Sequence, residues 1–108
     1  MAVKSGVRLR LYFDRLPYLA GAHQYAEEWL FPGGAHNNQR FYERHVQWTD
    51  RLSDEMQLLL YTPETSGGLL VSVPSARLDA LVARFAEAEE PCWVIGDVVE
   101  GHGIDVVA

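Results

Sequence analysis

Positive charge is what this sequence has least of. Lys4 is its single lysine, and nine basic residues in all stand against fifteen acidic ones, a net charge of −6. The arginines are scattered as Arg8, Arg10 and Arg15, then Arg40, Arg44 and Arg51, then Arg77 and Arg84. Binding a nucleic-acid backbone needs a clustered excess of Lys and Arg, so a nucleic-acid partner is excluded. Two of the arginine groups still leave room for a local patch beside a small anion.

Cysteine is almost as scarce. The single Cys92 excludes an internal disulfide and, with no CxxC, a thiolate zinc site. Within "PCWVIG" it reads as a small buried hydrophobe on a strand rather than a nucleophile. No apolar run approaches the ~20 residues needed to span a membrane. The first residues lead straight into a strand pattern with no signal peptide, so the expected compartment is the cytoplasm. Low-complexity tracts are also missing, and 48% of the residues are hydrophobic, so wholesale disorder is excluded. A chain of 108 residues fits one domain, 1–108, burying about 60–70% of the surface its unfolded form exposes.

The hydrophobic pattern then sets the expected elements. "VRLRLYF" (7–13) alternates, with Val7, Leu9, Leu11 and Phe13 on one face and Arg8, Arg10 and Tyr12 on the other, as in a half-buried strand. Tyr18, Ala22, Tyr25, Ala26 and Trp29 recur at helical spacing, which predicts a helix over roughly 19–30. "FPGG" (31–34) is expected to stop it, Asn37 and Asn38 to turn, and 40–44 to form a short helix. Ser53 caps a predicted helix over 53–60, with Asp54 and Glu55 at its positive end. "LLVSV" (69–73) reads as a strand covered on both faces. A helix capped by Ser75 follows, with Leu78, Leu81, Val82 and Phe85 as its apolar stripe, and Pro91 breaks the pattern. "CWVIGDVV" and "GIDVVA" read as two strands joined around 100–103 in a hairpin or bulged turn. Together these elements predict an α+β fold, a mixed sheet with helices packed on it.

Four constellations are candidates for chemistry. In Thr65-Ser66-Gly67-Gly68 converging backbone N–H groups and hydroxyls suit an anion; the same residues also suit a tight turn into a buried strand. The P-loop pattern GxxxxGK[ST] is absent and no helix follows directly. "PGGAHNN" (32–38) offers glycines, a histidine and amides to a ligand, or else a helix C-cap and a turn. His23, His36, His45 and His102 show no HxxxH or HExxH spacing; His23 reads as a surface residue, while His36 and His45 stay open between functional and bland roles. Asp97 and Asp105 lie in or beside apolar strands without a DxD cluster, and no G-x-S-x-G elbow supports a nucleophilic serine. No catalytic residue and no metal ligand is assigned from this chain.

The two glycine-rich loops and their company go further. "PGGAHNN", then "LLLYTPETSGGLLVSVP", then "VIGDVVEGHGIDV", resemble the carboxyl-terminal part of selenophosphate synthetases (selenide, water dikinases). That family looks like PGG-[TS]-x-[RK]-N, LL-x-DPQTSGGLL-x-AVP and IGEV-x-x-G-x-x-I-x-V. "MAVKSGV" and "LPYLAGA" resemble its MA-x-x-SGV and LPLLPGA segments, so the likeness runs over nearly the whole chain.

The resemblance implies the C-terminal domain of the AIR-synthetase-like ATP enzymes, a layered α/β sandwich partly like a ferredoxin fold. It implies an enzyme that converts ATP, selenide and water to selenophosphate, AMP and phosphate with Mg²⁺. This domain would close over the ATP phosphates, with Gly33, Gly34, Asn38, Thr65, Ser66, Gly67 and Gly68 facing them. The partner would be the amino-terminal half of the same enzyme, which in the family carries the nucleotide segment, the reactive Cys or selenocysteine and the metal-binding aspartates. No counterpart of these lies here. The chain alone is thus expected to be inactive and to bind neither ATP nor Mg²⁺ tightly, and Met1 is expected to be an internal methionine of a longer protein. A homodimer is compatible with the resemblance. Ala35, Asn37, Thr62 and Glu64 depart from the family pattern; losing a cation and gaining an acid beside a phosphate site weakens anion binding. Those departures keep two alternatives open, a non-catalytic binding or regulatory relative and an ATP-dependent superfamily member with another substrate.

Overall fold

A computed structural model describes residues 1–49 and 51–108. A short helix α1 (Ala2–Ser5) leads into strand β1 (Arg8–Tyr12). Helices α2 (Ala22–Glu27) and α3 (Gly33–Tyr42), strand β2 (Val46–Trp48), helix α4 (Asp54–Leu59), helix α5 (Ser75–Glu87) and strands β3 (Gly96–Val99) and β4 (Gly103–Val107) follow. The four strands form one mixed sheet in the order β2-β4-β1-β3. β1 is antiparallel to β3 and parallel to β4, and β4 is parallel to β2. Helices over a mixed sheet make the α+β fold that the pattern predicted.

Register and alternation give the sheet two unlike faces. Because side chains alternate along a strand, Leu9, Leu11, Ile104, Val106, Val46, Trp48 and Val98 share one face. Arg8, Arg10, Tyr12, Asp97, Asp105 and Gln47 share the other. The apolar face meets the helices: Phe13, Leu52 and Val106 form the buried cluster, with Tyr18, Val46, Trp48, Met56, Leu60 and Ile104 packed on it. Leu58 on α4 is 2% exposed and is the largest side chain buried completely.

Several expectations need correction. Residues 31–38 are not a helix stop and a turn: Gly33 and Gly34 are the first turn of α3, with Pro32 at its N-cap. First-turn amides have no intrahelical acceptor in any case, so glycine and a preceding proline are tolerated there. Residues 69–73 form no strand, and Leu69 is 95% exposed. None of the strands in the order β2-β4-β1-β3 pairs with them. β3 and β4 do not pair with each other either; they flank β1, and 100–102 bridge across its first residue. Pro74, not Ser75, is the N-cap of α5. Ser53 is the N-cap of α4, but its hydroxyl bonds the Glu55 carboxylate at 2.5 Å instead of a backbone amide. That bond holds the Glu55 carboxyl below its usual range. Cys92 lies in the irregular stretch before β3 and is half-buried.

The apolar stripe of α5 is covered only in part, with Leu78, Leu81 and Val82 half-buried and Phe85 36% exposed. The radius of gyration is 14.9 Å, above the roughly 13 Å of a compact domain of about this length. This fits helix α5, which among the described residues packs closely against no other element.

Candidate functional site

The two glycine-rich segments meet at the base of the 62–68 loop. α3 starts at Gly33, and the Ala35 amide donates to the Pro32 carbonyl at 2.9 Å. Gly34 needs to be glycine: a Cβ there would lie 2.8 Å from Cγ of Pro63, so the helix touches the loop at this point. One turn on, the Asn38 side-chain amide donates to the Tyr61 carbonyl at 2.9 Å. Asn38 is therefore spent on holding the end of α4 against α3, a positioning job, whatever else approaches it.

The loop is tied at its root and open beyond it. The Thr62 hydroxyl lies 2.8 Å from the Leu59 carbonyl and 2.9 Å from the Glu64 carboxylate. Thr65, Ser66, Gly67 and Gly68 are all exposed. Neither Gly67 nor Gly68 has a positive φ, and a Cβ on either would meet nothing within 4 Å. The successive right- and left-handed residues that converge amides into an anion nest are not formed in this loop. Of the sequence-predicted residues, Gly33, Gly34 and Asn38 are thus gathered on one helix against residues 61–63. Thr65–Gly68 extend from that junction into solvent.

The charges available here are few. The first turn of α3 contains no acidic residue, so its amides and the positive end of the helix dipole are unopposed from within the helix. Asn37, where the resembled family has a cation, accepts from Arg40 Nη2 at 3.2 Å. Ala35 is 0% exposed, so a hydroxyl there would need a partner inside the core. Among the described residues no three His, Cys, Asp or Glu side chains are placed to hold a metal ion.

The polar face of the sheet carries groups that glycine spacing does not reveal. A cavity of about 450 Å³ is lined by Arg10, Tyr12, Gln47, Trp48, Thr49 and Asp105, among others. Arg8 Nη1 donates to Asp105 Oδ2 at 3.3 Å, and Arg10 lies 3.9 Å from the same oxygen. Oδ1 of Asp105 is buried without a hydrogen-bond partner. Tyr12 donates its hydroxyl to Asp97 at 2.6 Å, which raises its pKa. The alternation of "VRLRLYF" was the signal for Arg8, Arg10 and Tyr12 on this face; nothing in the sequence placed Asp105 opposite them. His23 is exposed and packs its ring against Tyr18, at 4.4 Å between centroids.

A mixed sheet backed by helices carries a glycine-opened helix against the root of the 62–68 loop, and comparison with known proteins gives the class. All 108 residues match the family described as AIR synthase related protein, C-terminal domain, and the chain belongs to that family. Its curated relatives are more particular. A selenide, water dikinase of Trichlorobacter lovleyi is 33% identical over 99% of this chain and 31% of its own length. One of Pelobacter propionicus is 38% identical over 93% of this chain and 29% of its own length. One of Burkholderia ambifaria is 33% identical over 94% and 29%. The chain therefore spans about three tenths of the length of the curated relatives it matches.

Proposed function

We propose that this chain is the C-terminal domain of a selenide, water dikinase, forming selenophosphate, AMP and phosphate from ATP, selenide and water. The observation that carries the reading is the match of nearly the whole chain to about three tenths of relatives bearing that name, together with its membership of a C-terminal domain family. The domain's part is to close over ATP held by the remainder of the enzyme. The free first-turn amides of Gly33 and Gly34 and the hydroxyls of Thr65 and Ser66 are donors suited to phosphate oxygens. The exposed Gly67 and Gly68 let a ligand approach the backbone closely.

Asn38 acts indirectly in this reading, by fixing the loop root against α3. Closure would order the 65–68 loop, turning an open strand of donors into a cradle only when both halves of the enzyme are present. Mg²⁺ would neutralise phosphate charge, with ligands from the phosphates and from the remainder of the enzyme. On that basis the isolated domain turns over nothing and binds ATP·Mg²⁺ at most weakly. Calorimetric titration of the isolated domain tests this, and sub-micromolar affinity would contradict it.

A non-catalytic relative is the second reading. It is favoured by Glu64, whose carboxylate is bonded to Thr62 at the root of the loop, where an acid opposes a phosphate. Absence of any turnover by the whole enzyme, with ATP still bound, would select it.

A further inference from the structure

We infer that the β2–β4 end of the polar sheet face is a second, separate anion site, taking a phosphate-type oxyanion, free or as the terminal group of a larger ligand. A cavity of about 140 Å³ lies there, lined by Arg44, His45, Gln47, His102 and Gly103. Every lining side chain offers an N–H donor, and no carboxylate lines it among the described residues. In a chain of net charge −6 such a pocket is a local exception.

The pocket is built rather than accidental. His45 precedes β2 and Gly103 opens β4, and the parallel register brings the two together. Gly103 has φ of +84°, and a Cβ on it would lie 2.7 Å from the His45 carbonyl oxygen. Only glycine permits that approach, and the approach is what carries His102 to the rim beside His45. The Arg8 Nε–H donates to the His102 carbonyl at 3.2 Å and holds the turn in place.

Arg44 is held on two sides. Its Nε–H donates to His45 Nε2 at 3.1 Å, and its guanidinium lies 5.4 Å from the centre of the Phe41 ring. The first contact makes His45 Nδ1 the protonated ring nitrogen. The other four guanidinium N–H groups have no acceptor among the described residues, a fork suited to a tetrahedral oxyanion. The nearest acids in sequence, Glu43 and Glu100, do not line the cavity, and Asp105 is engaged by Arg8.

Size narrows the ligand. At about 30 Å³ per water the cavity holds an oxyanion and little more. It is far below the roughly 300–1,000 Å³ of pockets that enclose drug-sized molecules. A larger ligand would leave all but its phosphate outside.

The test is an NMR titration of the domain at neutral pH and fixed ionic strength, following the ring signals of all four histidines. Inorganic phosphate and adenosine monophosphate are added separately, with chloride as the reference. Saturable shifts of His45 and His102, but not of His23 and His36, are expected with one or both ligands. A response to phosphate assigns a free anion, and a response to the nucleotide alone assigns the phosphate end of a larger ligand. R44Q, a change on the surface, should weaken binding by about tenfold while leaving the thermal midpoint in place. Shifts equal to those with chloride, shifts shared by all four histidines, or an R44Q protein that is folded and binds as before would each overturn the inference.

Discussion

Two adjacent glycines at the start of α3 should respond in opposite ways to the same substitution. A Cβ on Gly33 meets nothing within 4 Å, whereas one on Gly34 lies 2.8 Å from Pro63 Cγ and 3.5 Å from its Cβ. Glycine in a helix is less favourable than alanine by up to about 1 kcal/mol, and less so in a first turn. G33A should therefore stabilise the domain by about 0.5 kcal/mol. G34A gains the same propensity but overpacks the junction, which typically costs about 1–3 kcal/mol.

The proline ring cannot swing aside, because Thr62 and Tyr61 beside it are bonded to Leu59 and Asn38. The net for G34A is a loss of about 1 kcal/mol. Urea unfolding reads this as a midpoint lowered by roughly 0.3–1 M at unchanged slope. P63A removes the colliding Cγ, so the double-mutant cycle should show coupling of about 1 kcal/mol or more. A G34A midpoint at or above that of G33A, or coupling near zero, would refute the contact between α3 and the 62–68 loop.

Other perturbations probe the frame around that contact. L58A, at the largest fully buried side chain, should cost about 2–5 kcal/mol in urea unfolding. G96A places a methyl on the Arg10 carbonyl oxygen; it should separate β3 from β1 and expose the slowly exchanging amides of that pair to hydrogen exchange. N38A removes the bond to Tyr61 and should cost about 1 kcal/mol, with faster proteolysis between residues 61 and 68. Burial raises the phenol pKa values of Tyr18 and Tyr61 above their ordinary 10.0. The fold thus favours the protonated forms: their stability contribution is complete below pH 10 and is lost as pH rises beyond it. The thermal midpoint should fall between pH 10 and 12, and by less in Y18F.

The sequence was most readable where local pattern and tertiary context agree. Strand β1 follows from the alternation of Val7 to Phe13, and α4 and α5 from their apolar spacing. It was least readable where a partner decides. Gly33 and Gly34 signal a break by propensity, yet they begin a helix because Pro32 fits the N-cap and Pro63 leaves no room for a Cβ on Gly34. "LLVSV" has strand composition, but a strand exists only with a hydrogen-bonded neighbour, and no strand of the sheet pairs with it. The closeness of 96–99 to 103–107 suggested a hairpin, while β1 inserts between them and the three residues 100–102 suffice to cross it.

The candidate site divides along the same line. The association of "PGGAHNN" with "TPETSGG" was legible through the family resemblance, and the Gly34–Pro63 contact gives it a physical form. The bond from Asn38 to Tyr61 was not legible, because a side-chain amide carries no sign of which carbonyl it will meet. Nor was the gathering of Arg44, His45 and His102, which depends on the parallel register of two strands far apart in the chain.

The proposed function stands or falls with the conversion of ATP to AMP by a full-length protein of the relatives' size ending in this domain, measured with and without selenide. The expected result is AMP formation that depends on selenide and is lost when residues 65–68 are deleted from an otherwise folded protein. AMP formation that ignores selenide, or that survives loss of the loop unchanged, would contradict it.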